Sequence, residues 1–308
     1  TNLFIKFGPE FVKKLDGMFA IALVDFQDQA IYLYRDPFGK KPLWILVNAD
    51  GSIEFSSEIK ALRSSKNIRG EFVSEYLLFG YVPFNKTAFK EVESIPAGSY
   101  SIWKSGKIYK HSYWELKSEL SEEISYEDAK DETKRLLEKA VEKRLISERP
   151  LGVFLSGGYD SSVIAALMKK SSNAEVNSYT IGFNSASHDE SGHARKVARA
   201  IGTKHHEEFL AFDVENTVRE VFSKVDLPFA DSSILPTYLL NKVARREIVV
   251  ALGGDGGDEI FGGYDRYVIA PLFEKYACLF RFFPSKLPIQ NSNFAKINRK
   301  LTRLHQEA

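Results

Sequence analysis

Residues 1–63 carry short apolar or alternating runs separated by turn residues, a pattern of strands. Met18 to Val24 and Ala30 to Tyr34 predict one hairpin across Asp25 to Gln29. Pro42 to Val47 and Ile53 to Ser56 predict a second across Asn48-Ala49-Asp50-Gly51, where Asp-Gly marks the turn. Residues 71–80 read as a helix. Ser99 to Trp103 and Lys107 to Tyr113 predict a further hairpin across Ser105-Gly106.

The charged stretch from Lys117 to Pro150 reads as one helix and a connector. Ser125 to Asp128 has a capping-box pattern. Ala129, Leu136, Leu137, Ala140 and Val141 form an apolar stripe near helical spacing, and the charges between them form a solvated face. After residue 150 the period alternates. Strands are predicted at 151–155, 177–183, 205–211 and 248–252, and helices at 161–170, 189–201, 214–224 and 235–246. This order predicts an α/β fold, a doubly wound parallel sheet with helices on both faces. The tail from Val268 to Ala308 reads as helices broken at Pro284 and Pro288. Its excess of Lys and Arg reads as a surface covering another part of the protein rather than as a nucleic-acid site.

Composition sets bounds. A chain of 308 residues with 44% hydrophobic content can fill two cores. Lys+Arg 42 against Asp+Glu 41 gives no whole-chain electrostatic case for nucleic acid or membrane. No apolar run approaches the roughly 18 residues of a membrane span. The single cysteine, Cys278, excludes an internal disulfide framework and fits a reducing, cytoplasmic setting. Between apolar neighbours, it reads as a buried small hydrophobe rather than a nucleophile.

The candidate chemistry lies in two glycine loops. Residues 151–162 read LGVFLSGGYDSS. The strand Val153-Phe154-Leu155 stops at Ser156-Gly157-Gly158, and a helical pattern follows. Glycines allow a tight turn and close backbone approach. The free N–H groups of the turn and helix start favour phosphate. Ser156, Ser161 and Ser162 add hydroxyls. Asp160 would repel phosphate without a cation, which implies Mg²⁺. The lysine of the common nucleotide loop is missing. A bare strand–turn–helix corner also uses glycine and serine, but the strand, Asp160 and the paired serines favour a ligand.

Residues 248–267 read IVVALGGDGGDEIFGGYDRY. A strand again runs into glycines, with Asp255, Asp258 and Glu259 among them. This predicts a metal–phosphate site at the carboxyl edge of a sheet. The plain alternative is a flexible acidic loop. Against it, closely spaced glycines are costly to order, and Phe261 and Tyr264 read as packed.

Other residues divide evenly or favour structure. His188, His193, His205 and His206 lack the spacing of a zinc site, and His205-His206 read as the opening of a strand. Asp189 and Glu190 suit a helix start or an active site equally. Asp231 suits a helix cap or a substrate contact equally. Tyr264 suits a core or a ring over a ligand equally.

The SGGYDSS loop paired with GGDGGDEIFGGYDRY resembles the synthetase domain of glutamine-dependent asparagine synthetases, in the pyrophosphate-loop ATP-pyrophosphatase superfamily. DGMFAIALVDF at 16–26 and RDPFGKKPLW at 35–44 look like late strands of that family's glutaminase domain. FSSEIKAL at 55–62, IPAGSYSIW at 95–103 and DLPFADSSILPTYLL at 226–240 also match. The resemblance implies two domains. Residues 1–118 would be the later part of an N-terminal-nucleophile glutaminase β-sandwich with a connector, and 119–308 the synthetase domain.

It implies an ATP site at Phe154, Leu155, Ser156, Gly157, Gly158, Asp160, Ser161, Ser162, Ile181, Gly253 and Gly254, with adenine near Phe154 and Ile181. It implies Mg²⁺ between Asp160 and Asp258, and catalytic roles for Asp255 and Tyr264. Two positions depart from the family pattern: Asp255 stands where Glu is frequent, and Gly253 where Ser is common. The expected substrates are aspartate, ATP, and glutamine or ammonia, and a homodimer is compatible. Nucleic acid and membrane are not expected partners.

The chain begins Thr1-Asn2-Leu3, without the family's N-terminal cysteine, and stops before the family's lysine-bearing helical segment. It is therefore expected to be an internal stretch without glutaminase activity. A ligase closing an internal amide, as in β-lactam synthetases, and a non-catalytic scaffold are the rival readings.

Overall fold

The computed structural model describes residues 1–64, 66–83, 85–117, 124–182, 189–209 and 213–271. The expectations for His188, for Cys278 and for the tail helices beyond 271 lie outside the described residues. The chain divides into two compact units. One is Thr1–Ser121 with Arg219–Asp231, and the other is Glu122–Val218 with the residues from Ser232 onward.

The first unit opens with α1 (Asn2–Phe7) and a 3₁₀ turn, Gly8–Lys14, neither of which is predicted by the sequence pattern. Then come β1 (Ala20–Asp25), β2 (Ala30–Arg35), β3 (Trp44–Val47), β4 (Ile53–Ser56), α2 (Phe72–Phe79), β5 (Val92–Ser94), β6 (Ser99–Lys104) and β7 (Lys107–Ser112). The predicted hairpins form with their predicted turns. Ser105 and Gly106 both have positive φ, 50° and 75°, the twist a two-residue hairpin turn needs. The strands make two antiparallel sheets, β1-β2-β6-β7 and β4-β3-β5.

Three apolar clusters show how the first unit is layered. Phe11, Val12, Tyr32, Tyr34 and Tyr100 join the N-terminal turns to the first sheet. Leu33 of that sheet and Ile45 of the second share a cluster with Leu43 and Ile95. Leu46 and Val92 of the second sheet pack with Ile59, Leu62 and Leu227. The RDPFGKK turn is tied to this frame by Asp36, 1% exposed. Its carboxylate accepts the N–H groups of Phe19, Phe38, Lys40 and Lys41 at 2.9–3.3 Å. Arg35 donates to the carbonyls of Gly39, Lys41 and Ile95.

The second unit holds α3 (Tyr126–Arg144), β8 (Leu151–Phe154), α4 (Tyr159–Ser171), β9 (Asn177–Gly182), α5 (Ser191–Ile201) and β10 (Lys204–Phe209). α6 (Val214–Phe222) crosses from one unit to the other, and α7 (Ile234–Ala244), β11 (Val250–Leu252) and α8 (Gly257–Phe261) complete the order. The Ser125 hydroxyl accepts the Asp128 N–H at 3.2 Å, the cap the sequence pattern predicts. In the apolar stripe of α3, Val141 is buried, but Leu136 is 50% exposed, because the helix meets its neighbours only along one edge.

The sheet is fully parallel, in the order β10-β9-β8-β11. Val153 and Leu155 face α3, α4 and α5 through Val141, Ala165, Met168, Ala194 and Ala198. Phe154 and Tyr179 face α7 through Leu240 and Ala244. The result is a mixed α/β unit with helices on both faces of a parallel sheet. From β8 the chain builds outward to β9 and β10, then returns to place β11 on the other side. That reversal makes a switch point between β8 and β11, where open α/β sheets bind ligands at their carboxyl edge. Among the described residues no helix is long and apolar enough to cross a membrane.

Candidate active site

Both glycine loops leave neighbouring strands at this switch point. The first begins at Leu155, whose N–H donates to the Tyr179 carbonyl at 3.0 Å and whose carbonyl accepts the Thr180 hydroxyl. Leu155 is 2% exposed and faces α3–α5. It is thus a core residue whose side chain lies on the opposite face from Phe154. Phe154 pairs in register with Tyr179, and Ile181 lies two residues further along β9. Period-two alternation therefore puts Phe154 and Ile181 on one face, near the carboxyl ends of adjacent strands.

Gly157 and Gly158 play different parts. Gly157 has φ +88°, and a β-carbon there would lie 2.6 Å from the Ala194 nitrogen and 2.8 Å from the His193 β-carbon. The loop is seated against the first turns of α5, and only glycine fits. Gly158 caps α4 with extended backbone, φ −68° and ψ 166°. A β-carbon on it would meet only the Ser156 hydroxyl at 3.4 Å, so its outer side is open. The first N–H groups of α4, from Tyr159, have no partner within the helix.

The three serines build the loop. Ser161, 8% exposed, accepts the Ser156 N–H at 3.2 Å, and the two hydroxyls are 3.0 Å apart. The Ser162 hydroxyl donates to the Gly158 carbonyl at 2.6 Å, and the Gly158 N–H donates to the Ser156 hydroxyl at 3.3 Å. The sequence reading treats these hydroxyls as ligand donors; in this structure they hold the turn.

The second loop meets the first at Asp160. A β-carbon on Gly254 would stand 2.8 Å from the Asp160 β-carbon and 2.7 Å from the Ser161 nitrogen. One on Gly257 would stand 2.5 Å from the Asp160 Cγ. Both glycines make room for Asp160, and Asp258 is the next residue along. Gly263 is packed against the Asp258 carboxylate. Asp255 is exposed, and its Oδ2 lies 2.8 Å from where a β-carbon on Gly253 would be. The two departures from the family pattern are therefore spatial neighbours.

Phe261 and Tyr264, read from sequence as packed, are 59% and 36% exposed. α8 has five residues and ends at Gly262 with φ 68°, which leaves its apolar side chains without a wall among the described residues. The Tyr264 hydroxyl donates to Glu259 at 2.9 Å, which raises its pKa above the usual tyrosine value. The Arg266 guanidinium lies 5.1 Å from the Tyr264 ring centre.

Among the described residues no group of three or more His, Cys, Asp or Glu could hold a metal alone. Two carboxylates beside a phosphate-type loop suit a cation that completes its shell with phosphate oxygens and water, as Mg²⁺ does. Asp189 accepts both the N–H and the hydroxyl of Ser191 at 3.1 Å, a bond two residues along at the start of α5. A cleft of about 370 Å³, lined by Arg69, Lys86, Lys90 and Glu93 among others, belongs to the first unit and contains no predicted site residue.

Sequence reasoning misses the contact of His193 and Ala194 with Gly157. A mid-helix Ala and a lone His carry no signal for it. It also misses the linked trio of buried Ser178 with the half-buried Thr203 and His205. Ser178 Oγ lies 2.8 Å from Thr203 Oγ1 and 2.9 Å from His205 Nδ1.

Residues 132–307 match the family described as asparagine synthase, and residues 1–114 match the one described as glutamine amidotransferase domain. The chain belongs to the asparagine synthase family. It is 33% identical to a putative glutamine-hydrolysing asparagine synthetase 2 of Methanocaldococcus jannaschii, over 94% of this chain and 58% of that protein. It is 32% identical to the glutamine-hydrolysing asparagine synthetase 1 of Bacillus subtilis, over 84% of this chain and 41% of that protein. It is 31% identical to asparagine synthetase B of Escherichia coli, over 86% of this chain and 46% of that protein. The chain thus spans about half the length of the curated relatives it matches. An NMN synthetase from Francisella tularensis covers 44% of this chain and 59% of its own at 17% identity and a TM-score of 0.32, too loose a superposition to bear on function.

Proposed function

We propose that the protein is an ATP-dependent carbon–nitrogen ligase, an asparagine synthase of the glutamine-hydrolysing kind. The observation that carries this reading is the meeting of two glycine loops at Asp160, at the switch point of a parallel sheet. The proposed fold is the doubly wound pyrophosphate-loop type, with the first unit as part of an N-terminal-nucleophile glutaminase. A cytoplasmic location fits the single cysteine.

In this reading the substrate carboxylate of aspartate attacks the α-phosphorus of ATP. The bond to the leaving pyrophosphate breaks, giving an acyl-adenylate. Ammonia then attacks the acyl carbon and AMP leaves, yielding asparagine. The N–H groups at the start of α4 would hold the pyrophosphate, and Gly158 leaves its approach clear. Phe154 and Ile181 wall the adenine from one face of the sheet. Asp160 and Asp258 would hold Mg²⁺, which supplies charge neutralisation on the leaving group. Asp255, exposed beside Gly253, would bind the substrate ammonium or take a proton from the attacking amine. Tyr264, paired with Glu259, would lie on the acceptor side.

A panel of carboxylate acceptors, assayed for pyrophosphate and AMP with ATP, Mg²⁺ and ammonium, tests this. Aspartate should give the fastest release. Faster turnover of an acceptor that closes an internal amide would favour the β-lactam-synthetase-like rival. No ATP binding at all would leave the scaffold reading.

A further inference from the structure

Asp226 sits between α6 and α7, inside the stretch that matches asparagine synthase, yet its segment 219–231 is part of the first unit. Its carboxylate accepts the N–H of Ile59 at 2.8 Å and that of Lys60 at 3.3 Å. These amides open the 3₁₀ turn Ile59–Ala61, whose own preceding residue, Glu58, offers no side-chain bond to them. Asp226 thus caps, from far along the chain, a turn with orphan donors.

Neighbouring contacts fasten the same segment. Lys60 Nζ donates to the Lys224 carbonyl at 3.0 Å. Leu227 packs on Leu46, Ile59, Leu62 and Val92. The Ala230 N–H donates to the Gly80 carbonyl at 2.8 Å, just where α2 ends. The following residues, Asp231 to Ser233, lead straight into α7, whose Leu240 and Ala244 pack with Phe154 and Tyr179.

We propose that Asp226 is a positioning residue: it clasps segment 219–231 to the rest of the amidotransferase-matching unit and so fixes where the chain leaves that unit. The geometry of the clasp stands alone; its kinetic consequence rests on the function proposed above. If nitrogen is released by one unit and used by the other, loosening the clasp disturbs glutamine-driven synthesis more than synthesis from added ammonium.

The test uses the full-length parent of this stretch, which carries the glutaminase nucleophile, with Asp226→Ala and Asp226→Asn. Amide hydrogen exchange at Ile59 and Lys60 should quicken roughly tenfold in Asp226→Ala, the scale of one charge-assisted hydrogen bond. Ala230 should quicken as well, while Val153 and Ala251 stay unchanged. Asp226→Asn keeps one acceptor oxygen and should recover part of the protection, and it serves alone if Asp226→Ala does not fold. The ratio of glutamine-supported to ammonium-supported pyrophosphate release should fall severalfold in Asp226→Ala and less in Asp226→Asn. Unchanged exchange at Ile59 and Lys60 overturns the clasp. Faster exchange with an unchanged ratio overturns the positioning role. A wild-type protein that releases no pyrophosphate from either nitrogen source overturns the ligase reading, and exchange then decides the clasp.

Discussion

A β-carbon on Gly257 would stand 2.5 Å from the Cγ of Asp160, so the carboxylate of one glycine loop is seated on the backbone of the other. Gly257→Ala should therefore displace Asp160 without disturbing the parallel sheet. The expected outcome is weaker Mg²⁺-dependent ATP binding by calorimetry, with the far-ultraviolet circular dichroism unchanged. Equal ATP affinity in the variant would show that Asp160 has no part in the site.

Gly157 and Gly158 should respond in opposite ways. Gly157→Ala puts a side chain at φ +88° and into the α5 backbone, which costs about 1–2 kcal/mol for the conformation alone. Its melting temperature should fall. Gly158→Val has compatible backbone and open space, so its melting temperature should stay near wild type while ATP affinity drops. A Gly158→Val protein that binds ATP normally would remove the phosphate from this loop.

Asp160→Asn keeps the shape and removes the charge. In a protein that makes asparagine, it should slow pyrophosphate release roughly a hundredfold or more, the scale of one preorganised electrostatic group. Near-wild-type release would mean that no cation is held between Asp160 and Asp258.

Stability should depend on pH through His205. Burial holds its pKa below the usual histidine value, and its Nε2 is buried without a partner among the described residues. The unfolded chain therefore takes up the proton first as pH falls. Stability is full above about pH 6.5 and declines as pH drops below it. Thermal melts from pH 7.5 to 5 should show this decline, and His205→Gln should flatten it. A wild-type melting temperature constant over that range would count against a buried neutral His205.

Where local chemistry decided the outcome, the sequence was readable. Ser105-Gly106 and Asp50-Gly51 specify their turns by themselves, and the strands Leu151–Phe154 and Asn177–Gly182 fall within stretches the pattern predicts. Both glycine loops announced themselves by composition. The misses depend on distant residues. β5 has three residues, too few for a period, and becomes a strand by pairing with β3. α1 is a single short helix held by Phe4 against Phe11 and Tyr32. No local pattern reveals that Ser161 would turn inward to Ser156, nor that Asp226 would cap a turn 167 residues away.

Segment 219–231 changes what counts as a module in this protein. The chain passes between its units after residues 121, 218 and 231, so no single cut separates them. A chimera that exchanges only the N-terminal stretch with a relative would set a foreign turn against the resident Asp226 and Leu227. Grafts should carry 1–121 and 219–231 together, and substitutions at Ile59 and Leu62 should co-vary with those at Leu227 across natural recombinants.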